Sequence, residues 1–119
     1  METGVRTVLM TAPDQEVALT LVRELVEDHL AACGNVVSGL TSVYRWEGQV
    51  ESAQEVLVIL KTSRTRVEAL LERAAELHPY EVPELLVLPV EEGHPRYLQW
   101  VLDETRVPWP TADLPEEEL

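Results

Sequence analysis

Phenylalanine is absent from this 119-residue chain, cysteine and lysine occur once each, and basic side chains number 9 against 22 acids. Each shortage excludes something. One cysteine, Cys33, rules out an intramolecular disulfide and any all-cysteine metal cage within one chain. A lone thiol suits a reducing compartment, so the expected location is the cytoplasm. The formal charge of −13 disfavours nucleic acid and polyphosphates, whose binders need a basic surface to release counterions. It equally disfavours an anionic membrane surface, and it attracts small cations. No stretch approaches the roughly 18 uninterrupted apolar residues of a membrane span. Met1-Glu2-Thr3-Gly4 lacks the basic start and apolar run of a secretory signal. The five glycines, Gly4, Gly34, Gly39, Gly48 and Gly93, never cluster, which leaves a phosphate-cradling loop unsupported. Neither G-x-S-x-G nor H-E-x-x-H occurs.

What is present is a sizeable core. Apolar residues make up 45% of the chain, enough for one domain, expected over residues 4–107, with an acidic, proline-rich tail over 108–119. Val5 to Ala12 is short and rich in β-branched types and reads as a strand. Pro13 and Asp14 open a helix whose apolar stripe, Val17, Ala18, Leu21, Val22, Leu25, Val26 and Leu30, recurs at steps of three and four. Gly34 and Asn35 are expected to end it. Val36 to Trp46 is a strand with a bulge at Gly39, Glu47-Gly48-Gln49 a turn, and Val50 to Lys61 a second strand. The uninterrupted Val56-Leu57-Val58-Ile59-Leu60 suggests a central strand covered on both faces. A second helix runs from N-cap candidates in Thr62 to Arg66 through Val67, Leu70, Leu71, Ala74 and Leu77, and stops at His78-Pro79. Leu85 to Val90 is a fourth strand, and Pro95 starts a last short helix. The order β-α-β-β-α-β plus a terminal helix implies a ferredoxin-like α+β fold, an antiparallel sheet with helices on one face. A sheet face left open by that arrangement, together with a long hairpin, implies an oligomer.

Few residues carry chemistry. His29 and His94 read as helix-end residues and Glu91-Glu92 as part of a solvated face. His78 stands where the second helix stops, a position from which a ring nitrogen can reach a ligand. Cys33 and Met10 read first as core residues; a thiolate and a thioether together would suit only a soft ion such as Cu(I). Tyr44, Arg45 and Trp46, at the hairpin tip, mark a subunit contact or a ligand cleft. Lys61 beside acids and His78 leaves general acid–base chemistry across an interface as a weaker reading that names no substrate.

Several segments in order resemble the CutA family of divalent-cation tolerance proteins. They are Thr11-Ala12-Pro13-Asp14, Leu30-Ala31-Ala32-Cys33, Ser42 to Gly48, Glu55 to Thr62, His78-Pro79-Tyr80 and Pro83 to Val90. The resemblance runs from about Val5 to Leu102. It implies a homotrimer with the architecture of PII-like signalling proteins, a non-enzymatic role in the response to copper and other divalent ions, and no obligatory cofactor. Copper-binding members carry a cysteine at the end of the first strand and paired histidines before Pro-Tyr. Met10 and Leu77-His78 stand at those positions here, so His78 and Met10 are the metal-ligand candidates and Cys33 a lesser one. The resemblance also implies an inter-subunit cleft lined by Tyr44, Trp46, Glu55, Lys61, His78, Tyr80, Glu84 and Trp100. The alternative function is a PII-like signalling or adaptor module that holds a small ligand or partner protein in that cleft.

Overall fold

The β-branched run Val5–Ala12 forms strand β1. Asp14 then caps helix α1, Gln15–Glu27, its carboxylate accepting from the Val17 N–H at 2.9 Å. The stripe turns inward as its spacing requires: Ala18, Leu21, Val22 and Leu25 are buried. Strand β2, Cys33–Trp46, and strand β3, Gln49–Ser63, make a long hairpin, followed by a 3-10 turn at Arg64–Arg66 and helix α2, Val67–Leu77. Strand β4, Leu85–Pro89, precedes helix α3, Pro95–Glu104, whose N-cap is His94 with Nδ1 accepting from the Arg96 N–H. The computed structural model describes residues 2–106; the tail expected over 108–119, and the domain's expected last residue at 107, lie outside the described residues.

The sheet is antiparallel throughout, in the ferredoxin-like order β2-β3-β1-β4. Positions paired across a ladder share a face, and the two faces differ sharply. Val8, Met10, Ala12, Val56, Val58 and Leu60 meet α1 and the buried Leu70 and Ala74 of α2 in one core. The opposite face pairs Leu9 with Ile59 and Leu86, Leu57 with Val37, and Thr7 with Lys61 and Leu88. There α3 covers one end through Val101, which packs on Val5 and Ala32. The remainder is open, with Leu86 54% and Leu88 47% exposed. β1 pairs with β3 only from Val56 onward, so Leu40–Trp46 and Gln49–Glu55 project as a two-stranded arm. The arm gives the described chain its elongated shape, 55 × 29 × 23 Å.

Several boundaries differ from the sequence expectation, each for a local reason. The first helix ends at Glu27, well before Gly34, because His29 adopts the left-handed conformation with φ 59°. The Leu30 N–H then reaches the Leu25 carbonyl and the His29 N–H reaches that of Val26, a Schellman ending with histidine where glycine is usual. The Arg66 guanidinium donates to the His29 and Asp28 carbonyls and so complements that helix end. β2 starts at Cys33, so the thiol belongs to a strand, half-buried, and not to the core. Gly39 does sit in a bulge, with φ 88° and a register shift between Val37 and Leu40. α2 has no side-chain N-cap; the 3-10 turn delivers the chain into it instead. β3 is covered on one face only within this chain, since Leu57 and Ile59 remain partly exposed between buried neighbours.

Candidate functional site

The arm, the end of β1 and the loop after α2 enclose a groove of about 720 Å³. Tyr44 and Trp46 come from the outer part of β2, Glu55 from β3 at the base of the arm, where it pairs with Leu40, and Pro79, Tyr80, Glu81, Val82 and Glu84 from the loop between α2 and β4. The loop's shape follows from its sequence. Pro79 and Pro83 bar helix and ladder alike, so the segment folds back against the sheet in irregular conformation.

His78 fixes where that loop begins. Its imidazole is buried, with Nδ1 accepting from the Tyr80 N–H at 3.1 Å and Nε2 donating to the Thr11 carbonyl at 2.8 Å. The tautomer follows from those partners: the proton sits on Nε2. The rings of His78 and Tyr80 lie 4.7 Å apart and tilted. Tyr80 thereby aims its hydroxyl at Glu55, donating to Oε2 at 2.6 Å. Partial burial and the neighbouring Glu55 carboxylate hold the Tyr80 hydroxyl well above its usual ionisation range, so it remains a donor. Glu81 and Glu84 are exposed and make no ion pair among the described residues.

Of the expected cleft residues, Tyr44, Trp46, Glu55, Tyr80 and Glu84 come together, with His78 behind them as a brace. Lys61 and Trp100 do not join them within one chain. Lys61 lies on the open sheet face at the register of Cys33 and donates to the Asn35 side chain, and Trp100 is on α3 beside Tyr97, ring centroids 5.7 Å apart. The sequence reading missed Thr11, Ser42, Val43, Glu81 and Val82. Glu81 and Val82 sit between two prolines directly after the His-Pro-Tyr motif, a signal for a loop bent onto the same site.

The two sulfur candidates do not converge. Met10 is fully buried on the helix-covered sheet face, whereas Cys33 lies on the opposite face with its sulfur 3.5 Å from the Tyr97 hydroxyl. Both nitrogens of His78 are spent on hydrogen bonds inside the chain. Among the described residues no group of three or more His, Cys, Asp or Glu side chains is arranged to hold a metal ion. A soft copper centre built from these donors does not fit the chain.

The fold and groove define a class: a ferredoxin-like α+β protein with an acidic, aromatic-walled groove beside an open sheet face. A family model described as CutA1 divalent ion tolerance protein matches residues 6–104. The chain is 50% identical over 98 residues to the divalent-cation tolerance protein CutA of Thermus thermophilus, covering 82% of this chain and 95% of that one. It is similar to the crystal structure of CutA from Xylella fastidiosa, with TM-score 0.85 and 38% identity, covering 87% of this chain and 99% of that chain. The solved structure of the Thermus thermophilus divalent cation tolerance protein superposes with TM-score 0.83 at 48% identity, over 86% of this chain and 99% of that one. The chain belongs to the CutA family of divalent-cation tolerance proteins.

Proposed function

We propose that this chain serves divalent-cation tolerance as a non-catalytic, cytoplasmic homotrimer that meets copper and other metal ions through surface carboxylates. The engagement of His78 supports this most directly. A ring that donates to Thr11 and accepts from Tyr80 has no lone pair to offer, and the sulfurs of Met10 and Cys33 lie on opposite faces of the sheet. What remains for a cation is the field of a −13 chain, which gathers divalent ions loosely and without geometric selectivity. The trimer is supported by the open apolar face and by the arm, because a two-stranded ribbon alone is marginally stable in water.

The test is a copper titration under reducing conditions, with and without added salt. Uptake should be weak, screened by salt within the Debye length, and unchanged in His78→Ala. Stoichiometric, salt-resistant Cu(I) binding that disappears in His78→Ala would instead require a soft site at that ring. The groove favours a second reading, a PII-like module that holds a ligand at the subunit boundary. Its volume is of the size that small-molecule sites use, and it combines apolar walls with a few polar groups.

A further inference from the structure

The three histidines of the chain respond to an added proton in different ways. His29 Nδ1 donates to the Glu104 carbonyl at 2.9 Å, so a second proton on that ring leaves the contact in place. His78 and His94 share a motif. Each precedes a proline, which has no N–H, and each accepts on Nδ1 from the next amide, that of Tyr80 at 3.1 Å and that of Arg96 at 3.2 Å. A proton on Nδ1 removes that acceptor and sets two donors against each other. At His94 the ring is exposed, and water replaces the lost contact. At His78 the ring is only 7% exposed, and Nε2 is already committed to the Thr11 carbonyl at 2.8 Å. Rotating the ring rescues nothing, since both nitrogens then carry protons.

We propose that His78 is an acid-operated latch: proton uptake at Nδ1 releases the Tyr80 amide, and with it residues 79–84 and the hydroxyl that holds Glu55. Acid thereby unseats the loop wall of the groove while sheet and helices keep their packing. The coupling runs through two bonds, the Tyr80 N–H to the ring and the Tyr80 hydroxyl to Glu55 at 2.6 Å. Charged and titratable groups surround this relay from every neighbouring element. Asp14 beyond β1, Tyr44 on β2 and Glu55 on β3 all act on Tyr80. Glu81 and Glu84 lie on the loop itself. Glu16 and Glu24 of α1 line a hollow beside Leu77 and Pro79, with Glu24 paired to Arg73 of α2. The expected inter-subunit cleft adds Lys61 from a second copy. The carboxylates give a cationic ring and its loop somewhere to turn once the amide is released. The latch goes beyond the functional reading above and does not depend on what the groove holds, because both of its bonds lie within one chain.

The experiment is hydrogen exchange of the full-length protein in its native assembly at about pH 7.5 and about pH 5.5, a span in which imidazoles change charge and ordinary carboxylates largely do not. After correction for intrinsic exchange, protection of residues 79–84 should fall by roughly tenfold or more at the lower pH, with β1 and β3 unchanged. In His78→Gln, whose side chain takes up no proton, the segment should exchange alike at both values. His94→Gln, which removes the exposed copy of the motif, should leave the acid effect intact. Imidazole nitrogen resonances of the native protein should show His78 Nδ1 gaining its proton over the interval in which the segment opens. An acid effect that persists in His78→Gln would belong to the carboxylates and overturn the proposal. Equal protection of the segment at both values in the native protein would overturn it, whatever the state of the ring. Protection lost from β1 and β3 together with the segment would mark general acid unfolding and overturn it too. Where His78→Gln fails to assemble, the resonances decide: a segment that opens while His78 is still neutral overturns the latch, and opening in step with the ring supports it.

Discussion

His78 ties the end of α2 and the following amide of Tyr80 to the carbonyl of Thr11, and its replacement tests whether it is a brace or a ligand. His78→Ala strands the Thr11 carbonyl inside the protein and should cost about 2 kcal/mol, read as a lower denaturant midpoint. The position of this histidine was legible in the sequence, because Pro79 forces the helix to stop there. The use of its nitrogens was not, since one partner lies 67 residues away. Cys33 misled in the same manner: its Ala-rich surroundings suggest a core residue, but its strand register turns it toward α3 and the Tyr97 hydroxyl. That contact, aided by partial burial, pushes Tyr97 up to about 12 from its ordinary 10.0. The folded chain therefore keeps a proton that the unfolded chain releases. Any stability this contributes is fully present below pH 10.0 and is lost as pH rises through about 12. An ultraviolet titration should show tyrosinate formation at Tyr97 moving down toward 10.0 in Cys33→Ala. An unchanged curve would remove the contact from the account.

At the scale of elements, helices and strands follow the hydrophobic period closely, and their ends follow single residues of unusual conformation. The turn of the arm shows why. Glu47 and Gly48 have φ of 50° and 80°, the pattern of a type I′ hairpin turn, in which asparagine outranks glutamate at the first position. Glu47→Asn should raise stability by about 0.5–1 kcal/mol, measured by thermal melting. Gly34 carries the opposite expectation. A β-carbon there would meet Leu60 Cδ2 and Val22 Cγ1 at 2.8 Å each, where β2 passes under α1. Gly34→Ala should therefore cost about 1–3 kcal/mol through overpacking, seen in the same melt. Composition marks Gly34 only as a helix stop, whereas packing makes it a point of close approach. The run Val56 to Leu60 was misleading for a related reason. Its composition suits a strand covered twice, but within one chain only every second residue is covered.

At the scale of the whole molecule, that uncovered half joins the candidate site to assembly. Leu9, Leu57, Ile59, Leu86 and Leu88 form an apolar surface on the sheet, and the arm extends beyond it with Val43 70% and Val50 66% exposed. A surface of this kind marks an interaction site, and further copies of the chain satisfy both the face and the arm. The expected cleft residues divide accordingly. Tyr44, Trp46, Glu55, Tyr80 and Glu84 share one groove on the chain, and Lys61 and Trp100 lie elsewhere, so the sequence pattern names more of the cleft than a single copy assembles. Leu86→Asp, a charge on the β4 side of the open face, should weaken assembly by about 2 kcal/mol or more if that face is the subunit contact. Sedimentation equilibrium of the native chain, followed by dilution into the micromolar range with circular dichroism in parallel, tests the central claim most directly. The account predicts the mass of a trimer, with loss of fold accompanying dissociation. A folded monomer at micromolar concentration would contradict it.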